Sequence, residues 1–178
     1  MSRTITVTVI AITAIMVLAV TRSKSCTSKT GIVFNVNDNT DCTVTKLADV
    51  NDRIKRVASS LRGTQTGAKI AMRWNGRIDE LDTDMGTSTA AVTTGKRSIR
   101  VCIQPDVPLD ALVFVALHEL AHVACDEIGH TPRFWDEFRY ILDEATRIGA
   151  YSGHDPHAVI CGRTVGRVPP RNARNMTR

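Results

Sequence analysis

The sequence predicts an α+β domain that follows one N-terminal transmembrane helix. The first 25 residues contain a long uncharged apolar run. Residues 46–162 then combine segments with helical apolar spacing and short segments rich in β-branched residues. This central region is large enough for one hydrophobic core. We therefore divide the chain into an anchor (1–25), a stalk (26–45), the α+β domain and a basic tail (163–178).

Residues 1–25 have the length and composition of a membrane-spanning helix. Thr4–Thr21 carries no charge, with Arg3 before it and Arg22 and Lys24 after it. As a helix, this run would span about 27 Å, close to the thickness of a bilayer core. A cleaved signal peptide is the alternative, but the run is longer than a typical signal core and lacks a small-residue cleavage site. We expect a single-pass membrane protein, and the flanking charges do not decide its orientation.

The stalk at 26–45 is mostly polar, with one short predicted strand at Ile32–Val36. Cys26 and Cys42 could pair if this segment faces an oxidising compartment. The chain has five cysteines, an odd number, so at least one of them stays free or pairs with another chain.

The α+β domain begins with a predicted helix at 46–62, which Gly63 ends. A β region follows, with candidate strands at Ala68–Trp74, Thr87–Thr93 and Ser98–Gln104. Glycines between these segments indicate turns. The helix is expected to cover one side of the sheet.

A second helix, starting near Leu109, carries the motif that organises the chain. It is apolar on nearly every side, which is typical of a buried helix, yet it contains His118, Glu119 and His122. The two histidines are four residues apart and share a face, so both imidazoles can bind one metal ion. A catalytic Zn²⁺ site takes three protein ligands and leaves one position for water. Glu119 lies about 100° around the helix and can act as a general base.

The third ligand is predicted to be His130, which follows Gly129. A glycine in the left-handed conformation can end a helix and direct the next residue back toward the site. Glu144, on the next predicted helix, is the alternative. Asp126 lies about 12 Å from His118 along a straight helix, too far to share one metal ion unless the helix ends early.

The next helix is predicted at 132–148, with Thr131 as its N-cap and Gly149 after its end. Trp135 lies one residue away from the apolar stripe of this helix. It could pack beside the metal site or fill the core, and we expect it to fill the core. Tyr151 is a possible oxyanion stabiliser.

These residues resemble a known family. H-E-L-A-H at 118–122, followed by G-H-T-P-R-F-W at 129–135, resembles the Wss1-like (WLM) and SprT-like small zinc metallopeptidases. The wider stretch, from the helix near Lys46 through T-G-K-R-S-I-R-V-C-I to I-C-G near Cys161, is similar to compact metallopeptidases encoded by large DNA viruses. The spacing differs from that of several relatives, because seven residues separate His122 from His130.

The resemblance implies a zincin-like fold, a Zn²⁺ cofactor and hydrolysis of peptide bonds in a protein or peptide substrate. It also implies that Ile99–Ile103 is an edge strand that binds the substrate backbone by strand addition. A viral chain of this kind would lie in a host or virion membrane.

Two alternatives remain at this point. The first is a membrane or virion structural protein in which zinc only holds the fold, with Cys125 or Cys161 as a fourth ligand. The second is a binding module that uses the Ile99–Ile103 edge.

The tail at 163–178 contains five arginines and no acid, and it accounts for the entire net charge of +5. We expect it to be disordered. It could touch anionic lipid or nucleic acid, without sequence specificity.

Overall fold

The computed structural model describes residues 24–27, 33–36, 41–81, 89–92, 95–166 and 168–169, with side chains from residue 43 onward. The predicted membrane segment, apart from its last two residues, lies outside these ranges. So do the Cys26 and Cys42 side chains and the end of the basic tail. No helix in the described part of the chain is both long enough and apolar enough to cross a bilayer.

The described chain has a mixed α+β architecture with four helices and small sheets, which confirms the predicted fold class at that level. In chain order the elements are β1 (Lys24–Thr27), β2 (Val33–Val36), α1 (Asp41–Ser60), α2 (Gln65–Arg73), β3 (Ile78–Glu80), β4 (Ala90–Val92), β5 (Ile99–Val101), α3 (Leu109–Ala124), α4 (Pro132–Arg147), β6 (Val159–Ile160) and β7 (Arg163–Thr164).

Helix α3 is the centre of the fold. It contacts α1, α2 and α4 as well as strands β4 and β5, and twelve of its sixteen residues are buried. A helix that is apolar on all sides is stable in water only when other elements cover it. The helix predicted from residue 109 is confirmed, and so is the one predicted at 132–148, which is observed as α4.

The helix predicted at 46–62 is observed as α1, which begins earlier, at Asp41, and ends at Ser60. Its buried stripe, which includes Leu47, Val50 and Ile54, is fully inaccessible to solvent. The helix packs on α3, α4 and β3. At the polar edge of this interface, Arg53 pairs with Asp110 in the first turn of α3 at 2.9 Å.

The strand predicted at Ala68–Trp74 is wrong, because this segment is helix α2. Thr64 caps the helix by accepting a hydrogen bond from the Gly67 backbone N–H at 3.0 Å. Met72 is 74% exposed and Ile70 is buried, a pattern that places one face of a helix on the core. Most residues in the segment are strong helix formers, so local preference and packing agree.

The central sheet has the strand order β3-β5-β4. Strand β5 pairs in parallel with β3 and antiparallel with β4. The strands predicted at Thr87–Thr93 and Ser98–Gln104 are confirmed as the shorter β4 and β5. However, the prediction of an edge at Ile99–Ile103 is wrong, since β5 is the middle strand. Among the described residues, β4 forms the edge near the metal-ligand candidates.

Strands β1 and β2 form a separate antiparallel pair, and β2 lies next to β3 and α1. The strand predicted at Ile32–Val36 is observed as β2. The second small sheet is the β6–β7 hairpin.

The folded domain extends beyond residue 162, where the disordered tail was expected to begin. Arg163 and Thr164 form β7, and the Val165 backbone N–H donates to the Ala158 carbonyl at 2.9 Å. Arg139 on α4 donates to the Pro169 carbonyl at 2.6 Å. These contacts fix the start of the predicted tail on the domain.

Candidate metal centre

The structure brings His118, His122 and His130 together at one point. The His130 Nε2 atom lies 2.9 Å from His118 Nε2 and 3.2 Å from His122 Nε2. Two nitrogens that bind Zn²⁺ tetrahedrally at about 2.05 Å are separated by about 3.3 Å. The three imidazoles are the one cluster in the described chain whose donor atoms could hold a metal ion. Their chemistry and spacing therefore fit a divalent transition metal.

The charge state of the rings also favours metal binding. Burial, together with the neighbouring His122 and His130, lowers the pKa of His118 to about 3. Burial, together with His130 and Lys96, lowers the pKa of His122 to about 4. A metal ligand must be a neutral imidazole, so these two rings are in the required state at neutral pH.

Aromatic residues of α4 hold the imidazoles in place. The Phe134 ring stacks on His122 with a centroid distance of 4.2 Å, and Phe138 packs edge-on against His118 at 5.1 Å. Trp135 stacks on His130 at 5.4 Å. Trp135 is half-buried against the core, as expected, and it also lines the cavity beside the three histidines, which is the alternative position that the sequence left open.

Local geometry explains how His130 reaches the other two rings. Helix α3 ends at Ala124, and Gly129 has a φ of +81°, the left-handed conformation that the sequence predicted. Thr131 then caps α4, with its side-chain oxygen accepting from the Phe134 backbone N–H at 3.3 Å. His130 is therefore in a short turn between two helices and faces α3.

The two other ligand candidates lie outside the cluster. Glu144 pairs with Arg147 on the same helix at 2.7 Å. The early end of α3 removes the distance argument against Asp126, but its carboxylate is engaged by Lys69 and Arg73, each at 2.6 Å. These hydrogen bonds hold its pKa well below the usual range.

Glu119 lines the cavity and is 8% exposed. Burial raises its pKa to about 7. A carboxylate whose pKa is near the working pH can accept a proton and later return it, which is what a general acid–base group requires.

The three histidines and Glu119 line an open cavity of about 780 Å³. One side is formed by β4 and Lys96, and another by the β6–β7 region, including Arg163, Val165 and Val168. Its inner wall is aromatic, with Phe114 and Phe138. A cavity of this size can hold several residues of an extended peptide or a ligand of similar size.

The sequence interpretation missed the β6–β7 wall. A disulfide between Cys102 and Cys161 ties the turn of this hairpin to the end of β5. Cys161 also donates its backbone N–H to the Gln104 side chain at 2.7 Å. The adjacent Cys161 and Gly162 both have positive φ. Gly162 is the local sequence signal for this turn. The disulfide has no local signal, because Cys102 and Cys161 are 59 residues apart in the sequence.

Two further expectations concern residues near the site. Tyr151 was a candidate oxyanion stabiliser, but its ring is buried and its hydroxyl donates to the His154 carbonyl, so this expectation is wrong. Cys125 is buried and free, and the Cys161 sulfur is in the disulfide. Neither sulfur belongs to the metal-ligand cluster.

Comparisons with known proteins identify viral relatives. The chain is 42% identical over 71 residues to the uncharacterized protein 136R of Invertebrate iridescent virus 6, a match that covers 36% of this chain and 40% of the relative. It is 47% identical over 47 residues to the uncharacterized protein 042R of Invertebrate iridescent virus 3, covering 26% and 30% respectively. The matches therefore span less than half of either relative. No family model matches the chain, and no solved structure matches it.

Proposed function

We propose that this chain is a zinc-dependent metallopeptidase with a zincin-like domain. The observation that carries the proposal is the set of three converging histidine nitrogens beside a buried glutamate in an open cavity. Three protein ligands with an open position are typical of catalytic zinc, whereas structural zinc sites are closed by four. The proposed ligands are His118, His122 and His130.

Bound zinc would polarise the scissile carbonyl and make water a stronger nucleophile at neutral pH. Glu119 accepts a proton from the attacking water, and it then donates a proton to the amine that leaves when the C–N bond breaks. The result is one free carboxylate and one free amine, so no further reactant is needed. The raised pKa of Glu119 suits both steps.

Strand β4 is the best candidate for binding the substrate backbone. It pairs with β5 on one side and is the edge of its sheet within the described chain. Its three residues, Ala90–Val92, line the same cavity as the histidines. An extended peptide that adds to this edge would lie across the metal centre, with its backbone bound by main-chain hydrogen bonds.

Membrane attachment is a separate proposal that rests on the sequence. The uncharged run at Thr4–Thr21 would anchor the domain to a host or virion membrane. Carbonate extraction of membranes from cells that express the full chain tests it: an anchored chain stays in the pellet, and release into the supernatant would overturn it.

The test of the peptidase is metal content and hydrolysis of a broad peptide library by the full chain in mild detergent. The variants are Glu119→Gln and, as a matched control, Glu127→Gln, which removes a second acid that lines the cavity. We expect about one zinc in all three proteins. Loss of the general base should lower the rate by about 10²–10⁴-fold, and the control should keep the native rate.

Other outcomes separate the alternatives. One zinc per chain with no hydrolysis in the native protein would favour a structural or binding role. Hydrolysis that survives Glu119→Gln would overturn the assigned role of Glu119. Absence of zinc from the native protein would overturn the metal centre itself.

A further inference from the structure

Arg73 from α2 binds the backbone at the end of helix α3. The Arg73 Nη1 atom donates to the Val123 carbonyl at 2.9 Å and to the Ala124 and Cys125 carbonyls at 3.4 Å. These carbonyls have no partner within a helix that ends here, and they carry the negative end of its dipole. Lys96, from the turn before β5, donates to the Cys125 carbonyl as well. Positive charge therefore stabilises this helix end at Ala124.

The same guanidinium also holds the first residues after the helix. The Arg73 Nη2 atom binds Asp126 Oδ1 at 2.6 Å, and Lys69, one turn earlier on α2, binds Asp126 Oδ2 at 2.6 Å. Arg133 lies farther away, at 3.7 Å. Because the guanidinium is planar and offers several N–H groups at fixed angles, it sets the position of Asp126 relative to the helix end.

This contact determines where His130 can lie. Only five residues, 125–129, connect Ala124 to His130. The far end of this connection is fixed by Gly129 and by the Thr131 cap of α4. His130 is itself exposed, so burial in the core does not hold it. Because the segment is so short, fixing its start at Ala124 limits the positions that the His130 ring nitrogen can reach.

We propose that Arg73 is a positioning residue for the metal centre, which ends α3 at Ala124 and holds Asp126 so that His130 can complete the ligand set. The inference rests on the metal centre of the proposed function, but not on its peptidase activity. Arg73 contacts no metal ligand side chain in this arrangement and acts through the backbone of residues 123–126.

The experiment measures Co²⁺ and Zn²⁺ affinity of the full chain in mild detergent by competition with a chelator. The visible spectrum of bound Co²⁺ reports the coordination geometry. We expect Arg73→Met to weaken binding by about 10–100-fold, the range found when partners that orient metal ligands are removed. Arg73→Lys should restore only part of this affinity, since one ammonium cannot replace the planar fork. Arg62→Met, at an exposed arginine after α1, is the charge-matched control and should bind like the native chain.

A double-mutant cycle separates positioning from general support of the fold. If Arg73 acts through His130, Arg73→Met should have little further effect on metal affinity in a His130→Ala background. If Arg73→Met does not fold, Asp126→Asn replaces it in the cycle, with a smaller loss expected in the same direction. Unfolding of each metal-free variant in denaturant is measured alongside, to show that the domain is intact.

Three results would overturn the inference. The first is a native-like metal affinity in a folded Arg73→Met variant. If Arg73→Met does not fold, the same result in a folded Asp126→Asn variant counts instead. The second is an equal loss of affinity with and without His130. The third is a native chain that binds no metal, which would also end the proposed function. A native chain that binds metal and shows the predicted losses, yet hydrolyses no peptide, would support this inference while the peptidase proposal fails.

Discussion

The Cys102–Cys161 disulfide should contribute a large part of the stability of the domain. It closes a loop of 59 residues. In the loop-entropy model, a cross-link of this length lowers the entropy of the unfolded chain enough to stabilise the folded state by about 4 kcal/mol. For a domain of this size, that corresponds to a decrease of roughly 15 °C in the midpoint of thermal unfolding when the bond is lost.

The perturbation is Cys102→Ala together with Cys161→Ala, and the assay is equilibrium unfolding in urea followed by circular dichroism. Cys125→Ala is the matched control, because it removes a buried sulfur that is in no disulfide. Dithiothreitol should lower the unfolding free energy of the native chain by about 4 kcal/mol and leave that of the double variant unchanged. This comparison separates the cross-link from the packing of the two side chains.

The same variant should loosen the cavity wall. The hairpin is also held by Ile160, which is fully buried, and by the Gln104 contact to the Cys161 backbone. We therefore expect the hairpin to remain but to open more often. Amide hydrogen exchange at Val165, whose N–H is bonded to the Ala158 carbonyl, should become faster than in the native chain. Unfolding free energies of the oxidised, reduced and double-variant proteins that agree within about 1 kcal/mol would refute the reasoning, since the loop would then not constrain the unfolded chain.

Three further predictions follow from the site and the core. His130→Ala should lower the metal affinity to that of the two remaining histidines, which chelator competition can still measure, and Glu144→Ala should leave the affinity unchanged. The reverse order would identify Glu144 as the third ligand. A metal supplied at a hundred times its dissociation constant should raise the unfolding free energy of the native chain by about 2.7 kcal/mol. A chelator should remove this gain, and the His130→Ala variant should not show it. Equal stability of the native chain with and without metal would contradict this prediction. Gly67→Ala would press a methyl group against the Leu61 carbonyl oxygen and should destabilise the domain by about 1–3 kcal/mol in urea. Gly166→Ala, where the methyl group meets open space, is its control, and equal unfolding midpoints for the two variants would contradict the close approach.

Much of the candidate site could be predicted because its signals are local. The apolar composition of α3 and the four-residue spacing of His118 and His122 depend only on the geometry of one helix. The effects of Gly129 and Thr131 are also local. The structure shows the left-handed conformation predicted for Gly129 and the N-cap predicted for Thr131. These two neighbours direct His130 back toward α3, and the end of α3 at Ala124 sets the other limit on its position.

Long-range pairings could not be predicted in the same way. The order β3-β5-β4 makes the strand next to α3 in the sequence a middle strand and gives the edge to β4. The spacing of residues within a strand does not reveal its neighbours. Trp135 shows a related limit: the sequence left two positions open for its ring, and the structure packs the ring against the core and against His130 at once.

The sequence by itself determined the metal-ligand candidates, the candidate general base Glu119 and the two helices that carry or flank them, because helical periodicity and capping act over four residues or fewer. Only the tertiary structure decided that residues 65–73 form a helix whose Arg73 fixes the end of α3. It also decided which strand lies at the cavity edge, and that a disulfide spanning 59 residues holds the opposite wall. These features depend on contacts between segments distant in the chain, and their energies appear only when the core brings those segments together.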